Sequence, residues 1–264
     1  MNDIRIVTIA DSKYFHYLKA MVNSIAKNLP GVKIHAFLVN MSDDNGKMLQ
    51  MIHPDLEYTI ELVKFKFNLQ RKCYCTNRRA YLIHKLREET DDILVWMDAD
   101  SLVVKKSPEF LDFARKCDVS FRPKNESDLT ASAKRKKSKP RGFMAGIIII
   151  GNSKNGEEFV NMYDQLLPQS SYLKARLNYS GHVSGLPKML MKIWMSNQDL
   201  LDKLHKDLKD KMNFVPLPQK YLDCSFEEDT VIWSIKASTR KDKKFNKQFK
   251  KYRISTEELE KDLK

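Results

Sequence analysis

The stretch "ILVWMDADSLVV", residues 93–104, decides how the rest of the chain is read. Five apolar residues run into Asp98 and Asp100, with only Ala99 between them, and the chain then turns apolar again. A short apolar run of this kind reads as a buried strand. The two acids then stand at its carboxyl end. In an extended segment, residues i and i+2 project to the same side, so Asp98 and Asp100 converge on one point. Small Ala99 lets the backbone come close to whatever sits there. Two hard oxygen ligands suit Mg²⁺ or Mn²⁺, ions that usually complete their shell with water and substrate phosphates. The competing reading is an exposed turn bearing two solvated acids. The apolar segments on both sides weigh against it.

Outward from this stretch, strands and helices alternate. Residues 4–10 ("IRIVTIA") read as a buried strand. Residues 14–29 read as a helix with Leu18, Met21, Val22 and Ile25 on one face, stopped by Pro30-Gly31. A strand is expected at 33–40, a short helix at 42–52 behind a capping Ser42, and a strand at 58–65. A helix at 77–89 precedes the acidic strand at 92–99. Next come a helix at 107–117, with Ser107 as N-cap and Pro108 in its first turn, and a strand at 118–123. The run "GFMAGIIIIGN" (142–152) reads as a buried strand, 156–167 as a helix, and 186–208 as one or two helices. "NFVPLP" and "TVIWSIKA" are late extended segments. No internal repeat is visible. Such alternation predicts a three-layer α/β fold with a mainly parallel central sheet. Ligands bind at the carboxyl edge of such sheets, which is where the acid pair falls.

Composition bounds the function. The chain has 264 residues, with 47 Lys plus Arg against 34 Asp plus Glu, a formal charge of +13. This excess points either to a polyanionic partner or to a Lys-rich surface. Cys73, Cys75, Cys117 and Cys224 form neither a C-x-x-C pair nor a disulfide framework, so a reducing, cytoplasmic location is expected. The opening residues carry no basic-then-apolar leader. The longest aliphatic run, "GIIIIG", is far short of a membrane span.

Several phosphate chemistries are excluded by the text itself. Gly46-Lys47 has no earlier Gly at P-loop spacing and no Ser or Thr after it. No two glycines stand two apart, so a dinucleotide fingerprint is missing. The first strand runs into Ala10-Asp11 and an aromatic helix start rather than a Gly-rich nucleotidyltransferase loop. A phosphatase using D-x-D as nucleophile carries it on the first strand with a later Gly-Asp loop. Here the pair is at 98–100, and no glycine precedes an Asp.

The acidic strand, taken with "IVTIADSKY", "NRRAYLIHKL", "GFMAGIIIIGN" and "SNQDLL" in that order, resembles GT-A fold glycosyltransferases, especially the glycogenin-like and galactosyltransferase-like group. The resemblance covers residues 4–235. It implies a Rossmann-like GT-A domain over 1–235 followed by a basic extension with a short helix over 236–264. It implies transfer of a hexosyl or pentosyl group from a nucleotide-diphosphate sugar, a UDP-sugar above others, with Mn²⁺ or Mg²⁺ held at Asp98 and Asp100. Asp98 would also face the donor's ribose and sugar. Thr8, Ala10, Asp11 and Tyr14 match the stretch that cradles base and ribose. Asp11 reads either as a uracil or ribose partner or as a helix cap, and Tyr14 as a stacking ring.

Arg79 falls on the apolar face of its helix with Leu82, Ile83 and Leu86. An unpaired inward Arg is costly, so it meets an acid or the donor phosphates. Arg78, one step round, is a weaker donor-phosphate candidate and reads as solvated. Asn197 and Gln198 would reach the reacting sugar, and Asp199 would be the base for an acceptor hydroxyl or would simply favour a helix N-terminus. Ala145 and Gly146 would let backbone approach the sugar, or pack closely. The family's late His-x-x-Gly-x-x-Lys stretch is replaced by "VIWSIKASTRKDKKF", which has neither His nor Gly. Lys236 is then the first candidate for the diphosphate, and water stands in for the third ligand. Two basic segments, 131–142 and 236–253, suit an anionic acceptor: modified DNA, a lipid-linked sugar carrier or an acidic glycan. They also suit a solvated lid and tail. The rival to an enzyme is a degenerate GT-A domain serving as a basic nucleic-acid- or membrane-binding module, with Phe245, Phe249 and Tyr252 as contact residues.

Overall fold

A computed structural model describes residues 3–66, 68–128, 142–167, 186–234, 243–257 and 259. A six-stranded sheet is ordered β3-β2-β1-β4-β7-β6. Its strands are β1 (Ile4–Asp11), β2 (Lys33–Val39), β3 (Leu56–Glu61), β4 (Ile93–Met97), β6 (Val119–Pro123) and β7 (Phe143–Ile150). The first four strands run parallel. β7 runs antiparallel between β4 and β6. β5 (Ser101–Val103) leaves the sheet and pairs antiparallel with β8 (Ile232–Ser234). The mainly parallel α/β reading therefore holds.

β1 and β4 are buried along their whole length. That is why they read as continuous apolar runs rather than as alternating ones. One face of the sheet packs on α1 (Phe15–Asn28), α2 (Asp43–Ile52) and α5 (Pro108–Ala114). The other face packs on α4 (Arg79–Glu89), α6 (Lys154–Leu166) and α7 (Leu186–Leu208). Ser107 accepts a hydrogen bond from the Phe110 N–H, so the expected cap of α5 is present.

Two segments depart from the expected layout. The helix expected at 77–89 is preceded by another, α3 (Asn68–Asn77), where only a connection was read. Its sequence, "NLQRKCYCTN", shows no apolar stripe. It is held by tertiary burial of Gln70 and Cys73. The C-terminal basic segment contains α8 (Lys243–Tyr252), which packs on the body of the molecule. Phe245 and Tyr252 are each 1% exposed. The amide of Asn23 on α1 donates to the Tyr252 carbonyl at 2.8 Å. These two rings are core, not contact residues for an external partner. The region 129–141 of the basic loop and Lys236 lie outside the described residues. No described helix is long and apolar enough to cross a membrane.

Candidate active site

β4 ends at Met97, and the chain turns at once. The Ser101 N–H donates to the Asp98 carbonyl at 2.9 Å, and the Asp98 N–H donates to the Gly146 carbonyl at 2.9 Å. The acid pair is thereby fixed to β7 by backbone. It faces a cavity of about 400 Å³. One wall is the carboxyl end of β1 and the start of α1, with Ala10, Asp11 and Tyr14. α3 adds Lys72, Cys75 and Thr76, and α4 adds Arg79. Asp98, Ala99 and Asp100 form the floor with Ala145 and Gly146, and α7 closes a side with Asn197 and Gln198.

Arg79 is 4% exposed and points inward, as its spacing predicted. The acid it meets is Asp98, with Nη2 at 3.3 Å from Oδ1. Its Nε donates to the Thr76 carbonyl at 2.8 Å, and its Nη1 to the Ala145 carbonyl. The guanidinium also lies 5.1 Å from the centroid of the Trp96 ring, and Trp96 Nε1 donates to Asp98 Oδ1 at 2.9 Å. Burial nevertheless pushes the Asp98 carboxyl above its ordinary range, outweighing the guanidinium and the indole. The ionised form is thus disfavoured despite the Arg79 pair, on a side chain that is 35% exposed. Oδ1 is committed to Arg79 and Trp96, while Oδ2 lies 3.5 Å from where a Cβ on Gly146 would stand. A second carboxylate, Asp100, lines the same cavity. This donor set fits a hard divalent cation, which favours oxygen ligands and would add positive charge. Among the described residues no cluster of three His, Cys, Asp or Glu is present. A cation here would draw its remaining ligands from water and phosphate oxygens.

At the other end of the cavity, Asp11 shapes the turn ahead of α1 without capping the helix, whose N-cap is Tyr14. Its Oδ1 accepts the N–H groups of Lys13 at 2.9 Å and Tyr14 at 3.2 Å, turning the chain into α1. Its Oδ2 faces Arg71 Nη1 at 3.1 Å. Arg71 and Lys72 were not anticipated, because α3 was not. The adjacent cations of "QRKC" were the signal for them.

Not every expected residue reaches the cavity. Thr8 is fully buried in β1, and the wall begins at Ile9. Arg78 turns away to Glu61, at 3.3 Å, and lies 3.7 Å over the Tyr81 ring. It is a half-buried ion-pair residue rather than a solvated one. Asp199 is exposed and off the wall. Asn197 is 2% exposed and donates to the Thr76 carbonyl at 3.4 Å. Gln198 lines the cavity, and its buried Oε1 has no hydrogen-bond partner among the described residues.

The sheet order, with antiparallel β7 beside β4, is shared with solved glycosyltransferases of the GT-A fold. Solved structures give the particulars. The chain is similar to the glycosyltransferase GlyE of Streptococcus pneumoniae TIGR4, with a TM-score of 0.60 and 12% identity, over 99% of this chain and 63% of that one. It is also similar to the galactosyltransferase LgtC solved in complex with donor and acceptor sugar analogues, with a TM-score of 0.58 and 13% identity, over 97% and 99% of the two chains. The chain thus spans less than two thirds of GlyE. No family model matches the sequence, and no curated relative does.

Proposed function

We propose that the chain is a glycosyltransferase that takes its sugar from a nucleotide-diphosphate donor, a UDP-sugar above others. One observation carries this reading. Asp98-Ala99-Asp100 turns at the carboxyl end of β4 into a cavity that begins at the carboxyl end of β1, where a bound nucleoside would lie. The similarity to GlyE and LgtC in fold supports it.

In this reading Asp98 and Asp100 hold Mn²⁺ or Mg²⁺. The ion, when bound, supplies Lewis-acid charge to the leaving diphosphate. Arg79 keeps the Asp98 carboxylate oriented through Oδ1 and leaves Oδ2 turned to the cavity. Ala10, Asp11 and Tyr14 bind the nucleoside, with Arg71 fixing the Asp11 carboxylate. Lys72, on the wall of the cavity, supplies positive charge for phosphate in place of the missing late His and Lys stretch. Gly146 packs closely on the protein itself, since a Cβ there would come within 3.1 Å of Leu222 and 3.5 Å of Asp98 Oδ2, and so lets β7 lie against the acid pair. Gln198 Oε1, buried and unpaired, accepts from a sugar hydroxyl. Phe245 and Tyr252 are sealed in the core, so they do not serve as contact rings for an external partner.

The test is thermal stabilisation by a panel of nucleotide sugars, each with and without Mn²⁺. A ligand that binds the native state stabilises it by mass action, about 2.7 kcal/mol at a hundred times its Kd. One donor is expected to raise the Tm only with metal, and Asp100→Ala to abolish that rise while folding normally. No shift with any donor, or an unchanged shift in Asp100→Ala, overturns the reading.

A further inference from the structure

Over residues 243–253 ("KKFNKQFKKYR") the chain carries five lysines, one arginine and no acid. The aromatic side of α8 is directed inward. Phe245 lies 5.2 Å from the Trp233 ring, and the Tyr252 hydroxyl accepts a hydrogen bond from Asn28 at 3.0 Å. Lys243, Lys247 and Lys250 are exposed, and their i, i+4, i+7 spacing puts them on the opposite side. The helix is therefore held by the core and presents a stripe of one sign to solvent.

Nothing within the helix accounts for that stripe. Like charges at i and i+4, as in Lys243–Lys247, repel one another. The first turn holds no acid to offset Lys243 at the positive end of the helix dipole. Among the described residues no ion pair engages Lys243, Lys247 or Lys250. Lys250 stands in the last turn, where the helix dipole favours a cation, but Lys243 and Lys247 gain no such support, and an external anion would supply it.

We propose that α8 is a docking strip for the phosphate backbone of a nucleic acid. Seven residues of helix span about 10.5 Å. Phosphates of one strand recur about every 3.4 Å along the duplex axis while winding around it, so the stripe is long enough to meet more than one of them. A helix that binds a bilayer instead turns its apolar face to the acyl chains, and here that face is enclosed. The inward side of the helix reaches toward the cavity wall through rings: Phe249 is 5.3 Å from the Tyr17 ring, which is 5.7 Å from that of Tyr14. The inference stands whether or not the cavity turns over a sugar donor.

The experiment is fluorescence anisotropy of a labelled DNA duplex of about 20 bp, titrated with the full chain between about 50 and 200 mM KCl. Two triple variants remove the same charge: Lys243→Gln/Lys247→Gln/Lys250→Gln on the strip, and Lys106→Gln/Lys116→Gln/Lys209→Gln on exposed lysines elsewhere. The strip variant is expected to weaken binding at least about tenfold at the lower salt. Its slope of log affinity against log salt should fall by about 2–3, since each phosphate contact contributes about 0.9. The control should keep the wild-type slope, and the strip variant should melt no lower than wild type. Equal losses in the two triples would mean diffuse charge and overturn the proposal. So would an absence of salt-dependent DNA binding, or a strip variant that loses phosphatidylserine vesicles but keeps DNA.

Discussion

At the amino end of the sheet, Arg5 on β1 is 8% exposed and meets two acids, with Nε at 2.9 Å from Asp92 and Nη1 at 2.5 Å from Glu57. Lys33 joins Asp92 at 3.7 Å and Asp3 at 2.8 Å. Burial alone would lower the Arg5 pKa, and its acids more than restore it. At the carboxyl end the balance is reversed. Asp98 has a guanidinium and an indole N–H on one oxygen, yet burial still prevails and its carboxyl is pushed up. One end of the sheet is a closed ion network that completes itself. The other holds a carboxylate whose pairing with Arg79 does not offset its desolvation. Buried charge thus stabilises at one end and is only partly offset at the other.

The largest effect expected from this contrast is on stability. Asp92→Ala would leave Arg5 with Glu57 alone, whose side chain is 59% exposed. Removing one partner of a buried pair costs about 3–5 kcal/mol, read as a lower urea midpoint at unchanged slope. Asp100→Ala, at the other end, should cost less than about 1 kcal/mol. A loss below about 1 kcal/mol for Asp92→Ala would show that the amino-end network is not what secures that edge.

Much of this was legible in the residues. β1 and β4 announce themselves because burial on both faces leaves no polar position, and α1 because its apolar residues recur with the helical period. The convergence of the acid pair and the inward Arg79 could be read from spacing, whereas Gly146 came only with the resemblance. What could not be read depends on contacts between segments distant in sequence. α3 has no apolar stripe to reveal it, so the pairing of Arg71 with Asp11, across sixty residues, was invisible. Thr8 fails to reach the cavity because only the last residues of a strand border its carboxyl edge. Asp199 fails because each helical step rotates about 100°, carrying it out past Asn197 and Gln198.

A mid-sized effect should appear with pH, with opposite sign at different carboxylates. Burial alone would raise Asp223. Hydrogen bonds from Thr230, from the Glu227 N–H at 2.7 Å and from Ser225 bring it below its usual 3.8. Its stabilisation is complete above the unfolded value of 3.8 and is lost as pH falls through the folded one. Asp98 is raised in the folded state, so its contribution is fully present below 3.8 and is lost as pH rises through the folded value. Each unit of separation is worth about 1.4 kcal/mol. Urea denaturation between about pH 3 and 7 in EDTA, comparing wild type with each Asn variant, measures both. The stability difference should grow with pH for Asp223→Asn and shrink with pH for Asp98→Asn. The same sign for both would remove the deficit at the cavity and, with it, the contrast between the two ends.

The smallest effect separates two polar atoms that look alike. Tyr163 on α6 is fully buried, and its hydroxyl has no partner among the described residues. Gln198 Oε1 is also buried and without a partner among the described residues, but its residue lines the cavity. An unsatisfied buried group costs about 1–3 kcal/mol, so deleting it without changing shape should cost nothing. Tyr163→Phe is therefore expected to be neutral or stabilising by up to about 1 kcal/mol, with donor-induced Tm shifts unchanged. Gln198→Leu should be similarly mild for stability but should diminish the donor-induced shift, because the residue lines a place where a hydroxyl can bind. If Tyr163→Phe instead weakens the fold by more than about 1 kcal/mol, the hydroxyl has a partner such as a buried water. Behind the Arg79–Asp98 pair, that water would belong to the carboxyl-end site and extend it into the core.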